Sequence, residues 1–246
     1  MKAKRVAITG LGIFCSTGKD VEEFSQSLKQ GRTGIGPITL FDTTKYPCKI
    51  GAEIKDYRPE EFFKKRELKK LSRADQFGLI ASEEAVKTSG IQSYPSEEVG
   101  VCLGAGAGGM LEAETYHREV LVKGKSKPSL IWPFIPSFTS DRIAERFGFS
   151  GPKFTVTTAC SSSATAIGYG ADLIRSGKSK AVLCGGSEAL SELTFGGFNS
   201  LKSMDPLPCR PFDRKRAGMS LGEGAGILIL EDFDEATERG VRIYAE

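Results

Sequence analysis

Thr155-Val156-Thr157-Thr158-Ala159-Cys160-Ser161-Ser162-Ser163-Ala164 is the stretch from which the fold of this chain is read. A β-branched run stops at a cysteine, and serines and small residues at helical spacing follow. That pattern predicts a buried strand, a tight turn and a helix opening directly after the thiol, over 161–175. A cysteine at such a junction faces unpaired N–H groups and the positive end of the helix, surroundings that favour thiolate over thiol. Residue type alone would make Cys160 an inert core thiol. Its position makes it a candidate nucleophile.

Working outward, apolar runs at 4–9, 99–103, 181–184 and 225–230 read as buried strands. Helical periodicity covers 20–30, 73–89, 110–122, 140–147 and part of 192–201, with Asp20 as an N-cap and Gly31, Gly90 and Gly148 as stops. Pro59 suits the first turn of a further, basic helix reaching residue 71. A Gly-, Thr- and Pro-rich loop runs to about Pro47, and 129–137, with Trp132, Pro133, Phe134 and Pro136, reads as an ordered loop. Strands that are continuous apolar runs and alternate with helices predict an α/β layered fold, a largely parallel sheet with helices on both faces. One domain over 1–246 is the simplest division. Residues 241–246 look like a strand just beginning with no helix to close the sheet, so a piece of a longer protein is expected.

Composition removes several classes. Charged residues make up 26% and hydrophobic residues 39% of 246 residues, an ordinary globular mixture. A net charge of +3 is too small to argue for nucleic acid. No apolar run approaches the roughly 18 residues of a membrane span, and the first residues lead into a strand rather than a signal peptide. A cytoplasmic protein is expected, without membrane or nucleic-acid partners. The six cysteines (15, 48, 102, 160, 184 and 209) form no C-x-x-C pair, so neither a zinc site nor a disulfide framework is suggested.

Other motifs have two readings. Gly10-Leu11-Gly12 lacks the third glycine of a dinucleotide loop, Cys15 standing in its place, and reads as a tight turn. The turn Gly104–Gly109 allows close backbone approach, either to a neighbouring helix or to a pocket. His117, in the polar stretch E-A-E-T-Y-H-R-E, reads as a surface histidine rather than the partner that a thiol nucleophile normally needs. Cys209-Arg210-Pro211-Phe212-Asp213 and Gly222-Glu223-Gly224-Ala225-Gly226 frame the last strand, with an Arg–Asp pair and glycines read as structural. The basic run Lys64, Lys65, Arg66, Lys69, Lys70, Arg73 is either a solvated face or a dock for an acidic partner.

Taken together the motifs resemble the β-ketoacyl-[acyl-carrier-protein] synthases, in their elongating, decarboxylating branch. The likeness rests on V-A-I-T-G-L-G at 6–12, T-A-C-S-S-S at 158–163, G-G-S-E at 185–188, G-G-F at 196–198, R-P-F-D at 210–213 and G-E-G-A-G at 222–226. It implies the N-terminal half of a thiolase-like layered fold. It also implies that Cys160 takes an acyl group from a carrier-protein thioester, its own N–H serving as one oxyanion-hole donor. Phe198 would lie near the acyl pocket, and Ala107, between Gly106 and Gly108, would leave room for longer or wider chains. Lys69 and Arg73 would meet the acidic acyl carrier protein, and homodimers would form around the 181–184 strand. The family's two histidines, a lysine and the second oxyanion donor have no counterpart here, and His117 matches none of them. No metal or cofactor is implied. Ile13-Phe14-Cys15 departs from the V-T-P frequent in the family. A scaffold that only binds carrier protein, a biosynthetic thiolase and a short-chain initiating synthase remain as alternatives.

Overall fold

The computed structural model describes residues 4–246; Met1, Lys2 and Ala3, the first residues of the start read above, lie outside them. In chain order the strands are β1 (Val6–Cys15), β2 (Gly36–Pro37), β3 (Ile50–Gly51), β4 (Val99–Gly104), β5 (Lys153–Val156), β6 (Ala181–Glu188) and β7 (Gly224–Asp232). The helices are α1 (Val21–Lys29), α2 (Lys65–Leu68), α3 (Arg73–Ser89), α4 (Met110–Lys123), α5 (Phe138–Phe147), α6 (Ser162–Arg175), α7 (Glu192–Ser200) and α8 (Phe233–Glu238).

Five strands form one sheet in the order β1-β7-β6-β4-β5, while β2 and β3 pair separately. β6, β4 and β5 are mutually parallel, and β7 runs against both of its neighbours. The sheet is therefore mixed. A strand buried on both faces has the same apolar run in either direction, so the sequence pattern leaves β7's orientation open.

Alternation within the strands supplies two cores. Ala181 and Leu183 of β6 and Val99, Val101 and Leu103 of β4 face α3, joining Phe77, Ile80, Ala81 and Ala85. Val182, Cys184 and Cys102 face α6, against Ala166, Leu173 and Ile174. Helices thus cover both faces, each fully buried aliphatic or aromatic side chain contributing about 1.5–3 kcal/mol.

Three expectations need correction. Gly10 and Gly12 do not end the first strand; β1 continues to Cys15. A Cβ at Gly10 would lie 2.5 Å from the Ala85 carbonyl oxygen, and one at Gly12 would overlap that of Ala81. The two glycines are where α3 rests on the sheet. The basic helix expected from 59 to 71 is broken into a single 3-10 turn, Pro59–Glu61, and the one-turn α2. Between them the chain is bent so that Phe63 is buried while Phe62 packs edge-on against Phe14 at 5.6 Å. Tertiary packing here overrides helix propensity.

Third, Ala181–Cys184 lies in the middle of the sheet, each residue 0% exposed, and offers no surface to a second protomer. β5 is one of the two edges of the sheet, and its Phe154 is exposed. Two features escaped the pattern: the short α8, capped by Asp232, and, in place of a new strand at 241–246, a single antiparallel bridge between Ala245 and Ile8. The segment 129–137 is ordered as two 3-10 turns, Pro128–Leu130 and Trp132–Phe134.

Candidate functional site

The strand, turn and helix expected around Cys160 are present, with one added step, but the strand is not buried: β5 lies at a sheet edge with Lys153 and Phe154 exposed. β5 ends at Val156, a 3-10 turn spans Ala159–Ser161, and α6 opens at Ser162. Ala159 has φ +52°, in the left-handed region that a non-glycine residue rarely adopts. This reversal turns Cys160 outward, and its thiol is exposed. Ser162 holds the turn: its Oγ accepts from the Thr158 N–H at 2.9 Å and donates to the Ala159 carbonyl at 2.7 Å. Ser161 Oγ donates to the Thr158 carbonyl at 2.9 Å.

Glycines let this elbow sit close to the sheet. A Cβ at Gly104, where β4 ends, would collide with the backbone of Ser163, and one at Gly186 would lie 3.0 Å from the Ser163 Cβ. The start of α6 is thus pressed between the ends of β4 and β6. The first N–H groups of a helix lack intrahelical partners, so this end presents donors beside the thiol.

Cys160 opens onto a cavity of about 630 Å³ whose walls include Gly106, Ala107, Met110, Leu190, Phe198 and Leu221. Of the expected pocket residues, Ala107, Gly106 and Phe198 line it; Gly108 does not, but supplies the φ +51° of the same turn. Phe198 arrives on α7, whose N-terminus is fixed by α4: Glu114 accepts from the N–H groups of Glu192 at 3.1 Å and Leu193 at 2.6 Å. His117 is exposed and borders a different groove, between α4 and α7.

The other cysteines contrast with Cys160. Cys102 and Cys184 are opposite one another on β4 and β6, both fully buried. Burial pushes the Cys102 thiol up to about 11 and raises that of Cys184 further, the neighbouring Cys102 adding to the effect. Neither is suited to act as a nucleophile near neutral pH.

The two proposed docking residues part company. Lys69 is exposed at the end of α2. Arg73 is not free: its Nη2 and Nε donate to the Glu223 carboxylate at 2.6 and 2.9 Å, and its side chain is 16% exposed. Glu223, wholly buried, also accepts from the N–H groups of Ile54 at 2.9 Å and Leu190 at 3.1 Å. The pair therefore ties the start of α3 to two loops, one of them the pocket wall at Leu190. In the R-P-F-D motif the Arg210 partner is Asp205, at 3.1 Å, and not Asp213; Phe212 is fully exposed at φ +65°.

Sequence reasoning missed the work of two carboxylates. Glu188 and Glu223 were quoted within G-G-S-E and G-E-G-A-G, but a lone acid among glycines carries no sign of what it accepts from. Spatial convergence of backbone N–H groups is what reveals it.

An exposed thiol on a strained elbow, at a helix start and over a largely apolar cavity, has the geometry of a candidate nucleophile facing an apolar substrate. Comparison with known proteins narrows the class. The model of the β-ketoacyl synthase N-terminal domain matches residues 3–236, and the chain belongs to that family. It is 38% identical to 3-oxoacyl-[acyl-carrier-protein] synthase 2 of Synechocystis sp. across 100% of its own length and 62% of that protein's. It is 34% identical to the synthase 2 of Vibrio cholerae, again covering 100% of this chain and 62% of the relative. Among solved structures, the ishigamide ketosynthase/chain length factor superposes with a TM-score of 0.93 at 33% identity, covering 99% of this chain and 62% of that one. A type II PKS acyl-carrier protein in complex with its ketosynthase bound to the hexaketide gives a TM-score of 0.86 at 26% identity, covering 99% and 62%. The chain thus spans about 62% of the length of the curated relatives it matches.

Proposed function

We propose that this chain is the cysteine-bearing N-terminal domain of a 3-oxoacyl-[acyl-carrier-protein] synthase. The observation that carries the reading is the Cys160 thiol, turned outward by Ala159 over an apolar cavity of about 630 Å³. The Cys160 thiolate attacks the carbonyl of an acyl-carrier thioester. Charge develops on the oxygen beside the N–H donors of the turn, the carrier's thiolate departs, and it takes up a proton. The apolar walls take the acyl chain. Decarboxylation of a malonyl-carrier partner and formation of the carbon–carbon bond are not assigned to these residues: the one histidine, His117, faces another groove.

Acyl carrier protein is the proposed partner at the basic surface that includes Lys69, with Arg73 taking no direct part. A second copy of the chain is proposed to pair along the edge of β5, supported by the exposed Phe154 and Tyr169 around a groove of about 710 Å³. The proposed compartment is the cytoplasm, in keeping with six unpaired cysteines.

Intact-mass analysis after incubation with an acyl-carrier thioester tests the central claim. One acyl adduct, mapped to the Cys160 peptide and absent from Cys160→Ala, is expected. An unmodified wild-type chain, or an adduct surviving in the variant, refutes the assignment.

A further inference from the structure

Glu188 is the last residue of β6, at the edge of the cavity, and its carboxylate is wrapped by the glycine-rich turn after β4. Three successive backbone N–H groups converge on it. Gly106 donates to Oε1, Ala107 to both oxygens at 3.0 Å, and Gly108 to Oε2 at 3.1 Å. Such a concavity of consecutive amides is a binding site for an anion, filled here by the chain's own side chain. Only a carboxylate accepts at both oxygens; an amide of the same shape would turn an NH₂ toward donors.

The surrounding backbone is shaped for this grip. A Cβ at Gly106 would lie 2.8 Å from Glu188 Oε1, so the turn reaches the carboxylate only because residue 106 has no side chain. At the far end, the Gly109 N–H donates to the Pro133 carbonyl at 3.1 Å. The turn is therefore held at both ends, and between them Ala107 forms part of the cavity wall while its N–H is held by Glu188.

We infer that Glu188 is a positioning residue: through the Gly106–Gly108 turn it fixes the wall at Ala107, and so sets which chains the cavity accepts beside Cys160. The consequence for acyl groups rests on the acyl-acceptor reading above. The positioning itself is a property of the cavity and needs no acyl transfer.

The test therefore uses N-ethylmaleimide and N-dodecylmaleimide, which label a thiol without any acyl transfer, with peptide mass spectrometry resolving Cys160 from the half-buried Cys15 and Cys209. Glu188→Gln removes the charge and keeps the shape; Glu188→Asp keeps the charge but falls one methylene short. In both, the ethyl reagent should label Cys160 within about twofold of the wild-type rate, while the preference for the dodecyl reagent falls about tenfold, the scale on which a pocket discriminates single methylenes. An unchanged dodecyl-to-ethyl ratio overturns the inference, and so does a parallel fall of both rates, which marks a purely structural role. Should Glu188→Gln fail to fold, as judged by circular dichroism, Glu188→Asp decides by the same ratio. A wild-type chain that shows the dodecyl preference but takes no acyl group from a carrier thioester refutes the acyl-acceptor reading and leaves the positioning role standing.

Discussion

Replacing Arg73 by methionine strands a carboxylate. Glu223 has no exposed side-chain surface, and Arg73 supplies two of the four donors that reach it, the others being the N–H groups of Ile54 and Leu190. Breaking a buried pair from one side costs about 3–5 kcal/mol, because the remaining charge is left without compensation. With a urea dependence of about 1–3 kcal/mol per molar, that loss is a midpoint shift of one molar or more. The double variant Arg73→Met/Glu223→Gln leaves no charge behind, but Ile54 donates to one carboxylate oxygen and Leu190 to the other, so the amide oxygen serves only one of the two N–H groups and a loss of about 1–3 kcal/mol, smaller than that of the single variant, is expected. Urea unfolding at pH 7, followed by tryptophan fluorescence and circular dichroism, reads all three proteins. The reasoning is refuted if Arg73→Met loses less than about 1 kcal/mol, or if the double variant is as unstable as the single. The series also separates the two readings of Arg73. A docking residue would lose affinity for acyl carrier protein without losing stability, the behaviour expected instead of Lys69→Glu.

Other outcomes follow from single features of the fold. Ala159→Val places a β-branched residue at φ +52°; a loss of about 1–2 kcal/mol is expected, with slower alkylation of Cys160 as the elbow is displaced, and unaltered melting and labelling would contradict the strained-turn account. Glu112, on the first turn of α4, accepts from the Arg73 N–H at 2.8 Å but has its other oxygen buried without a partner, and desolvation raises its carboxyl to about 7. Because the folded value lies above the unfolded one, the protonated form stabilises the fold below about pH 4.5, and that contribution is lost as pH rises through 7. Glu112→Gln should therefore be more stable than wild type at pH 8 by about 2–3 kcal/mol and nearly equal to it at pH 4.5, by urea titration at both pH values. Phe154→Glu places a charge on the free edge of β5, and light scattering should show a mass halved toward the monomer; a variant that keeps the wild-type mass rules that edge out.

How far the sequence reaches depends on the range of the interaction. The 73–89 helix was bounded correctly at both ends because its stops are local: Ser72 accepts from the Asp75 N–H, and Gly90 closes the helix at φ +66°. The break of the 59–71 segment was not legible, since it comes from Phe62 and Phe63 meeting partners far along the chain. Likewise the junction that carries Cys160 was legible from a β-branched run ending before small residues, while the outward turn of its thiol follows from the left-handed Ala159 and was not.

By itself the amino-acid sequence determined which segments are strands and helices over most of the chain, and that Cys160 stands at a strand-to-helix junction. Those features rest on residue periodicity and on capping within a few positions. Only the tertiary structure decided that β7 runs against its neighbours, that Arg73 belongs to Glu223, and that Glu188 grips the turn carrying Ala107. Each of these joins groups 80 or more residues apart, or depends on strand direction. Charges and backbone amides choose such partners by proximity in the folded chain, and a linear pattern of residue types does not record it.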